Sequence, residues 1–362
     1  MEERILIPLG LALGVSAFAT PAVARLARAL QICDRPNERA VNRRAGMPLL
    51  GGLAVALGFA CGLAAALWML ALGFPRQLGA VVSGGAVVLA AGIYDDRFGM
   101  NAWWKFAIQL AAAGIAVGYG FHISHISDPV SNTLIILPAW IAWPLTVIWI
   151  VGITNALNLI DGLDGLASGV GAIIAATLSV ISYQAGQPVG FCIGIALVGA
   201  LLGFLPFNFA PARIFLGDTG SMLIGYLLAL LTLEGYRQIS LLTFVVPMLA
   251  LAVPILDTAL SVIRRLRMRT PIFSADRLHM HHRLLAVEGS QRGAVLQFYV
   301  LTAAFCLIAL SFTRLKGVTA FLFLAVVGLL TVRLLWNLGF LFPERDASAA
   351  GQASAGGDQR KS

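Results

Sequence analysis

The chain is short of charge. Asp, Glu, Lys and Arg make up 12% of its 362 residues, about half the roughly 25% of an ordinary soluble domain. Hydrophobic residues make up 59%. A soluble core of that composition would leave wide apolar patches in water and aggregate. A soluble globular enzyme and a disordered chain are both excluded. Cysteine is scarce as well. Cys33, Cys61, Cys192 and Cys306 show no CxxC spacing and no pairing with histidine. Neither a disulfide framework nor a thiolate zinc site fits that pattern. No stretch alternates polar with apolar residues, which disfavours a membrane barrel. The net charge is +8, but no basic-aromatic stripe goes with it. The positive residues fall in loops between apolar runs, where membrane orientation and an anionic substrate account for them and nucleic acid does not.

What the chain has in abundance is apolar sequence of spanning length. Eleven runs sit near 4–24, 49–73, 78–94, 103–120, 134–154, 165–183, 189–209, 219–236, 241–263, 295–313 and 318–340. In lipid every backbone polar group must be satisfied within the chain, so each run predicts a helix. The expected fold class is all-α, a polytopic bundle of about 11 transmembrane helices. The first run, followed by Ala-Val-Ala at 22–24, has the outline of a signal peptide. Its flank Met1-Glu2-Glu3-Arg4 is not basic, however, and Arg25, Arg28, Arg35, Arg39, Arg43 and Arg44 follow and would resist export. A retained helix is expected. With the N-terminus outside, 20 of the 25 Lys and Arg residues fall in inner segments. That bias predicts an external N-terminus and a cytoplasmic C-terminus. Residues 1–342 are expected to form one multi-span domain, and 343–362, which lack apolar residues to bury, a disordered tail.

Acids at a membrane edge are costly and point to function. Asp95 and Asp96 end the third run, Asp161 and Asp164 follow the fifth, and Asp218 follows the seventh. A histidine-rich segment, 276–283, follows the ninth. Each follows an odd-numbered span, so all are expected on the cytoplasmic face, at one shared site. Clustered carboxylates with an amide suit Mg²⁺, which uses one or two carboxylates plus substrate phosphates. Lys, Arg and His nearby suit phosphate oxygens. Together they are equipment for phosphoryl transfer.

In Asn155-Ala-Leu-Asn158-Leu-Ile-Asp161-Gly-Leu-Asp164-Gly, the residues Asn158, Asp161 and Asp164 recur every three positions and share one side of a helical turn. A polar loop followed by small-residue helix packing is the bland alternative. Phe215-Leu-Gly217-Asp218-Thr219-Gly220-Ser221 opens a helix, and its amino terminus favours phosphate. Simple capping by Asp218 is the alternative there. Lys105 either reaches the Asp95–Asp96 site or snorkels to the membrane edge. Segment 276–283 holds Arg277, His279, His281, His282 and Arg283; phosphate, zinc or plain solvation would each use them, and the arginines favour the anion. Asp257, inside the ninth run, reads as a buried, hydrogen-bonded acid, and His122 and His125 read as solvated. A transporter for a phosphorylated solute is the rival from another class, although it should carry its polar groups near mid-membrane.

These stretches together resemble the polyprenyl-phosphate N-acetylhexosamine-1-phosphate transferase family, over nearly the whole chain from Asp34 to the histidine segment. The form FSADRLHMHH is similar to the branch that uses UDP-N-acetylglucosamine to start teichoic acid, O-antigen or related envelope glycans. The Pro-Ile-His-His-His arrangement of the phospho-N-acetylmuramoyl-pentapeptide branch is absent. The resemblance implies a bacterial inner-membrane enzyme in which undecaprenyl phosphate attacks the β-phosphorus of a UDP-N-acetylhexosamine and UMP leaves. It implies Mg²⁺, or Mn²⁺ in its place, on Asp218 and Asn158. Asp95 and Asp96 would position or deprotonate the lipid phosphate, and Lys105 would contact phosphate. Asp161 and Asp164 would line the donor site, Phe215 would stack on uracil and Asn208 hydrogen-bond it. Arg277, His279, His281 and His282 would grip the diphosphate or sugar. Another UDP-N-acetylhexosamine donor and a homodimer stay open. The first inner loop departs from the family, reading Arg39-Ala40-Val41-Asn42 where members usually carry Arg-Lys-x-His.

Overall fold

A computed structural model describes residues 2–34, 46–127, 134–234, 242–267, 280–313, 315 and 317–337. Two compact units divide the chain, Met1–Leu315 and Lys316–Ser362. The first contains helices α1 (Glu2–Ala29), α2 (Gly51–Met69), α3 (Arg76–Gly79), α4 (Gly85–Phe98), α5 (Ala102–Gly118), α6 (Ala139–Ile160), α7 (Leu166–Gln184), α8 (Pro188–Asn208), α9 (Gly217–Glu234), α10 (Leu242–Ala250), α11 (Ala252–Arg267), α12 (Met280–Glu288) and α13 (Gln291–Phe312). The second contains α14 (Gly317–Asn337). A π turn, Ala80–Gly84, joins α3 to α4, and the Ala80 carbonyl accepts the Tyr226 hydroxyl at 3.0 Å. The expected tail, 343–362, lies outside the described residues.

The molecule is a polytopic membrane bundle. Among the described residues, seven helices are long and apolar enough to cross a bilayer, and Ala102–Gly118 and Thr319–Arg333 are shorter apolar helices. One short antiparallel ribbon, β1 (His125–Ser127) with β2 (Leu134–Ile136), joins α5 to α6. Three residues per strand are too few for alternation to mark them in the sequence. The single span expected over 241–263 is two helices that meet at Leu251. Pro254 has no N–H to give the Ala250 carbonyl. The Cys306 thiol from α13 donates to that carbonyl instead, at 3.8 Å, as a broken membrane helix requires.

Helix α9 is the axis, buried on every side from Thr219 to Glu234, and it packs against α2, α4, α6, α7 and α8. Without a hydrophobic drive between helices in lipid, close backbone approach supplies the adhesion. Gly58-x-x-x-Gly62 in α2 and Gly199-x-x-x-Gly203 in α8 both receive α1; a Cβ at Gly203 would stand 2.2 Å from the Leu13 carbonyl oxygen. The tightest approach lies where α9 begins. A Cβ at Gly52 would stand 2.1 Å from the Gly220 nitrogen, and one at Gly92 would stand 2.4 Å from Thr219 Cα. The obstacle is backbone, which cannot swing aside. Gly52→Ala is therefore expected to lower stability by about 3 kcal/mol, the upper end of over-packing costs. The thermal midpoint of the purified protein checks this, and an unchanged midpoint would show that α2 does not press on α9.

Candidate active site

The first turn of α9 is assembled by its neighbours. Gly217 holds φ +72°, a left-handed geometry that favours glycine. A Cβ there would stand 2.4 Å from Asp96 Oδ2. Into that space α4 sends Asp96, whose Oδ1 accepts the Asp218 N–H at 2.8 Å and whose Oδ2 accepts the Thr219 N–H at 3.1 Å. The Thr219 hydroxyl also donates to Oδ2, at 2.5 Å. The carboxylate thus satisfies orphan amides at the helix start and opposes its positive end. Asp218 does not cap its own helix; Asp96, from another helix, does.

With its backbone held there, Asp218 presents its side chain to α5 and α6. The Lys105 ammonium pairs with both Asp218 Oδ2 and Asp95 Oδ2. Asn158 Nδ2 donates to Asp218 Oδ1 at 2.9 Å and to Ser221 Oγ at 2.9 Å. One cation and one amide bracket the two oxygens of a single carboxylate, and a second carboxylate shares the cation. Asp95, Asp96, Lys105, Asn158 and Asp218 therefore come from four helices to one end of the bundle. The Asp218 side chain keeps 28% exposure and Lys105 24%, so both face an accessible space.

Asp161, in the loop between α6 and α7, stays in partial contact with solvent. Desolvation first, then the charges of Asp218, Asp96 and Asp164, push its carboxyl well above the ordinary carboxylate range. The His281 ring lies over the same loop; a Cβ at Gly162 would stand 2.3 Å from its Nε2. Asp257 is buried and accepts the Met280 N–H at 2.7 Å, which anchors α12 and hence His281. Arg277 and His279 lie outside the described residues, as does the side chain of His282.

Asp164 and Asn208 turn inward. Asp164 Oδ2 accepts the Ala212 N–H at 3.0 Å. Asn208 accepts the Ser168 hydroxyl at 2.7 Å and donates to the Ile214 carbonyl at 3.1 Å. Both shape the loop 209–216, on which Phe215 is half-buried. The Phe215 N–H donates to Pro48 O at 2.9 Å, and its carbonyl accepts the Gly51 N–H at 3.0 Å. Sequence reasoning missed a support of that loop and one of the earlier loop between α6 and α7. Arg292 Nε donates to Ala210 O at 2.7 Å, and the Tyr299 hydroxyl donates to Gly165 O at 2.5 Å. Both sit on α13, at positions with no polar pattern to mark them.

Among the described residues no group of three or more His, Cys, Asp and Glu side chains forms a metal cage. Mg²⁺ does not ask for one, since it takes one or two carboxylates and fills its shell with water and substrate phosphate. Two carboxylates already gathered about one cation, with an amide beside them, are a donor set of the required hardness. The fold and the site together define a polytopic membrane protein equipped for phosphoryl transfer.

Comparison with known proteins narrows that class. The family described as "Glycosyl transferase family 4" matches residues 78–236, the stretch that carries Asp95, Lys105, Asn158 and Asp218. The chain is 37% identical over 330 residues to a Bacillus subtilis (strain 168) protein named "Probable undecaprenyl-phosphate N-acetylglucosaminyl 1-phosphate transferase", covering 91% of this chain and 90% of that one. It is 38% identical over 325 residues to the "Decaprenyl-phosphate N-acetylglucosaminephosphotransferase" of Mycobacterium tuberculosis (strain CDC 1551 / Oshkosh), covering 83% and 80%. Similarity to the "Phospho-N-acetylmuramoyl-pentapeptide-transferase" of Latilactobacillus sakei is 35% over 150 residues, covering 41% and 46%. The chain belongs to glycosyl transferase family 4 and is a phosphoglycosyltransferase that transfers N-acetylhexosamine-1-phosphate to polyprenyl phosphate. Enzymes of this family typically depend on Mg²⁺.

Proposed function

We propose that the chain transfers N-acetylglucosamine-1-phosphate from UDP-N-acetylglucosamine to undecaprenyl phosphate, which starts an envelope polysaccharide in the bacterial inner membrane. The observation that carries the reading is the placement of Lys105 and Asn158 on the two oxygens of Asp218, with Asp95 on the same lysine. The names of the relatives similar along most of the chain support the sugar. The eleven apolar runs support eleven crossings, and the positive-inside count supports an external N-terminus and a site that faces the cytoplasm. Residues 1–342 form the catalytic unit in this reading.

In the reaction an oxygen of the lipid phosphate forms a bond to the β-phosphorus of the donor. The bond from that phosphorus to the bridging oxygen breaks, and UMP leaves with the oxygen. Asp218 and Asn158 would hold Mg²⁺, which when bound neutralises charge on the diphosphate. Lys105 binds an acceptor phosphate oxygen and offsets its charge. Asp95 orients Lys105 and the acceptor. No strong base is needed, since a phosphate monoester gives up its second proton near pKa ~6. Asp96 acts through α9 by holding Asp218 in place. Asp161, with His281 above its loop, lines the donor side, and Arg277, His279 and His282 complete the grip on the diphosphate. Phe215 stacks on uracil. Asp164 and Asn208 keep the Phe215 loop in shape for it.

The test is a purified-protein assay with undecaprenyl phosphate, a panel of radiolabelled UDP-sugars, and Mg²⁺ added or withheld. Labelled lipid and UMP should form with UDP-N-acetylglucosamine and Mg²⁺ only. Faster turnover of another UDP-N-acetylhexosamine would reassign the donor, and lipid labelling without UMP release would reject the reaction.

A further inference from the structure

Two amides that take no part in the steps above lie one helical turn beneath the site. Gln109 is four residues after Lys105 in α5, Asn155 is three before Asn158 in α6, and Met222 is four after Asp218 in α9. Each therefore shares a helix face with the residue above it. Asn155 Nδ2 donates to Gln109 Oε1 at 2.5 Å, and Gln109 Nε2 donates back to Asn155 Oδ1 at 3.4 Å. Gln109 Nε2 also lies 3.7 Å from Met222 Sδ, and Asn155 Nδ2 reaches Val151 O at 2.9 Å. Gln109 is 3% exposed. The same three helices, α5, α6 and α9, thus meet twice. The upper meeting is the ion-paired set of Lys105, Asp218 and Asn158, and the lower one is this neutral set.

Apolar side chains of equal volume would fill the lower layer without any cost of burying amides. What a reciprocal amide pair adds is direction. It is satisfied at one separation and one rotation of the two helices, whereas apolar contacts tolerate sliding. Lys105 and Asn158 are the next residues up on those helices, and they approach Asp218 from opposite sides. We propose that the Gln109–Asn155 pair is a positioning device. It fixes the spacing of α5 and α6 and so sets Lys105 and Asn158 on the two oxygens of Asp218. This inference rests on the phosphotransfer reading above.

Loss of the pair should act on the chemical step rather than on donor binding, because the donor-side loops are held separately, by Asp164, Asn208, Arg292 and Tyr299. A misplacement of about 1 Å can cost on the order of 10²-fold in rate. The test uses the full-length protein in the assay above with four variants: Gln109→Met, Asn155→Leu, both together, and the exchange Gln109→Asn with Asn155→Gln. Thermal midpoints are recorded alongside. Each single change is expected to lower kcat about 10- to 100-fold, with KM for UDP-N-acetylglucosamine within about twofold. The double apolar variant should be no worse than the worse single one, because neither amide is then left without its partner. The exchange keeps an amide on each helix and should recover kcat to within about threefold of wild type.

Lower midpoints with unchanged kcat per folded molecule would reduce the pair to packing and overturn the inference. An exchange variant as slow as the single ones would overturn it too. If a single variant fails to fold, the double one decides: wild-type kcat there rejects a positioning role. Asp218→Ala serves as the control for the site itself. Wild-type protein without turnover overturns both readings, whereas an active wild type, a dead Asp218→Ala and unaffected Gln109 and Asn155 variants overturn this one alone.

Discussion

Asp218→Ala should reduce Mg²⁺-dependent UMP release by about 10³-fold or more, the scale on which a preorganised charge at a reaction centre acts. The folded protein should survive the change. The backbone of Asp218 is held by Asp96, not by its own side chain. Lys105 keeps Asp95 as a partner, and Asn158 keeps Ser221. No buried charge is left unpaired, which is the usual cause of severe loss. Asp218→Asn is the sharper form of the experiment, because it preserves shape and removes only the negative charge. It should be nearly as slow as the alanine variant while the thermal midpoint stays close to wild type. Wild-type turnover in Asp218→Asn would show that the reaction does not use that charge and would remove the residue from the site.

How far the site could be read from the sequence follows from where its residues lie along the chain. Asp95, Asp96, Asp161, Asp164 and Asp218 stand out because each interrupts or ends an apolar run, and span parity carries them to one end of the bundle. Asp257 reads as a buried, hydrogen-bonded acid from its depth in a run, and it accepts Met280 N–H. What the sequence does not reveal is direction. Asp95 and Asp96 are consecutive, so they point about 100° apart on a helix. Nothing local tells which one reaches Lys105 and which one closes α9. Asp164 lies in a recognisable motif and Asn208 is singled out by the family resemblance, yet their polar atoms turn inward, Asp164 to the Ala212 N–H and Asn208 to the Ser168 hydroxyl and the Ile214 carbonyl. Gln109 lies midway along the apolar helix α5, Arg292 and Tyr299 lie in the first half of α13, and their partners are remote in sequence. The break at Leu251 was hidden for another reason: apolarity runs straight through it, and only Pro247 and Pro254 hint at it.

The two neighbouring acids should separate in experiment. Asp96→Ala removes the acceptor of three hydrogen bonds at the start of a fully buried helix. Bonds to a charged partner contribute about 1.5–3 kcal/mol each and do not add fully, so the expected loss of stability is about 3 kcal/mol or more. Activity should fall with it, since Asp218 and Ser221 ride on the same turn. Asp95→Asn removes no helix cap and leaves Lys105 its second partner, Asp218. Its thermal midpoint should stay near wild type, because neutralising a buried carboxylate relieves its desolvation as well as losing its ion pair, while kcat drops about 100-fold through loss of the charge that orients Lys105 and the acceptor. Thermal unfolding and steady-state kinetics on the two variants decide the matter. If Asp95→Asn melts early and Asp96→Ala does not, the assignment of cap and reactive acid is reversed. If both keep wild-type kinetics, neither carboxylate serves the reaction, and the end of α4 is a span edge that only happens to lie beside Asp218.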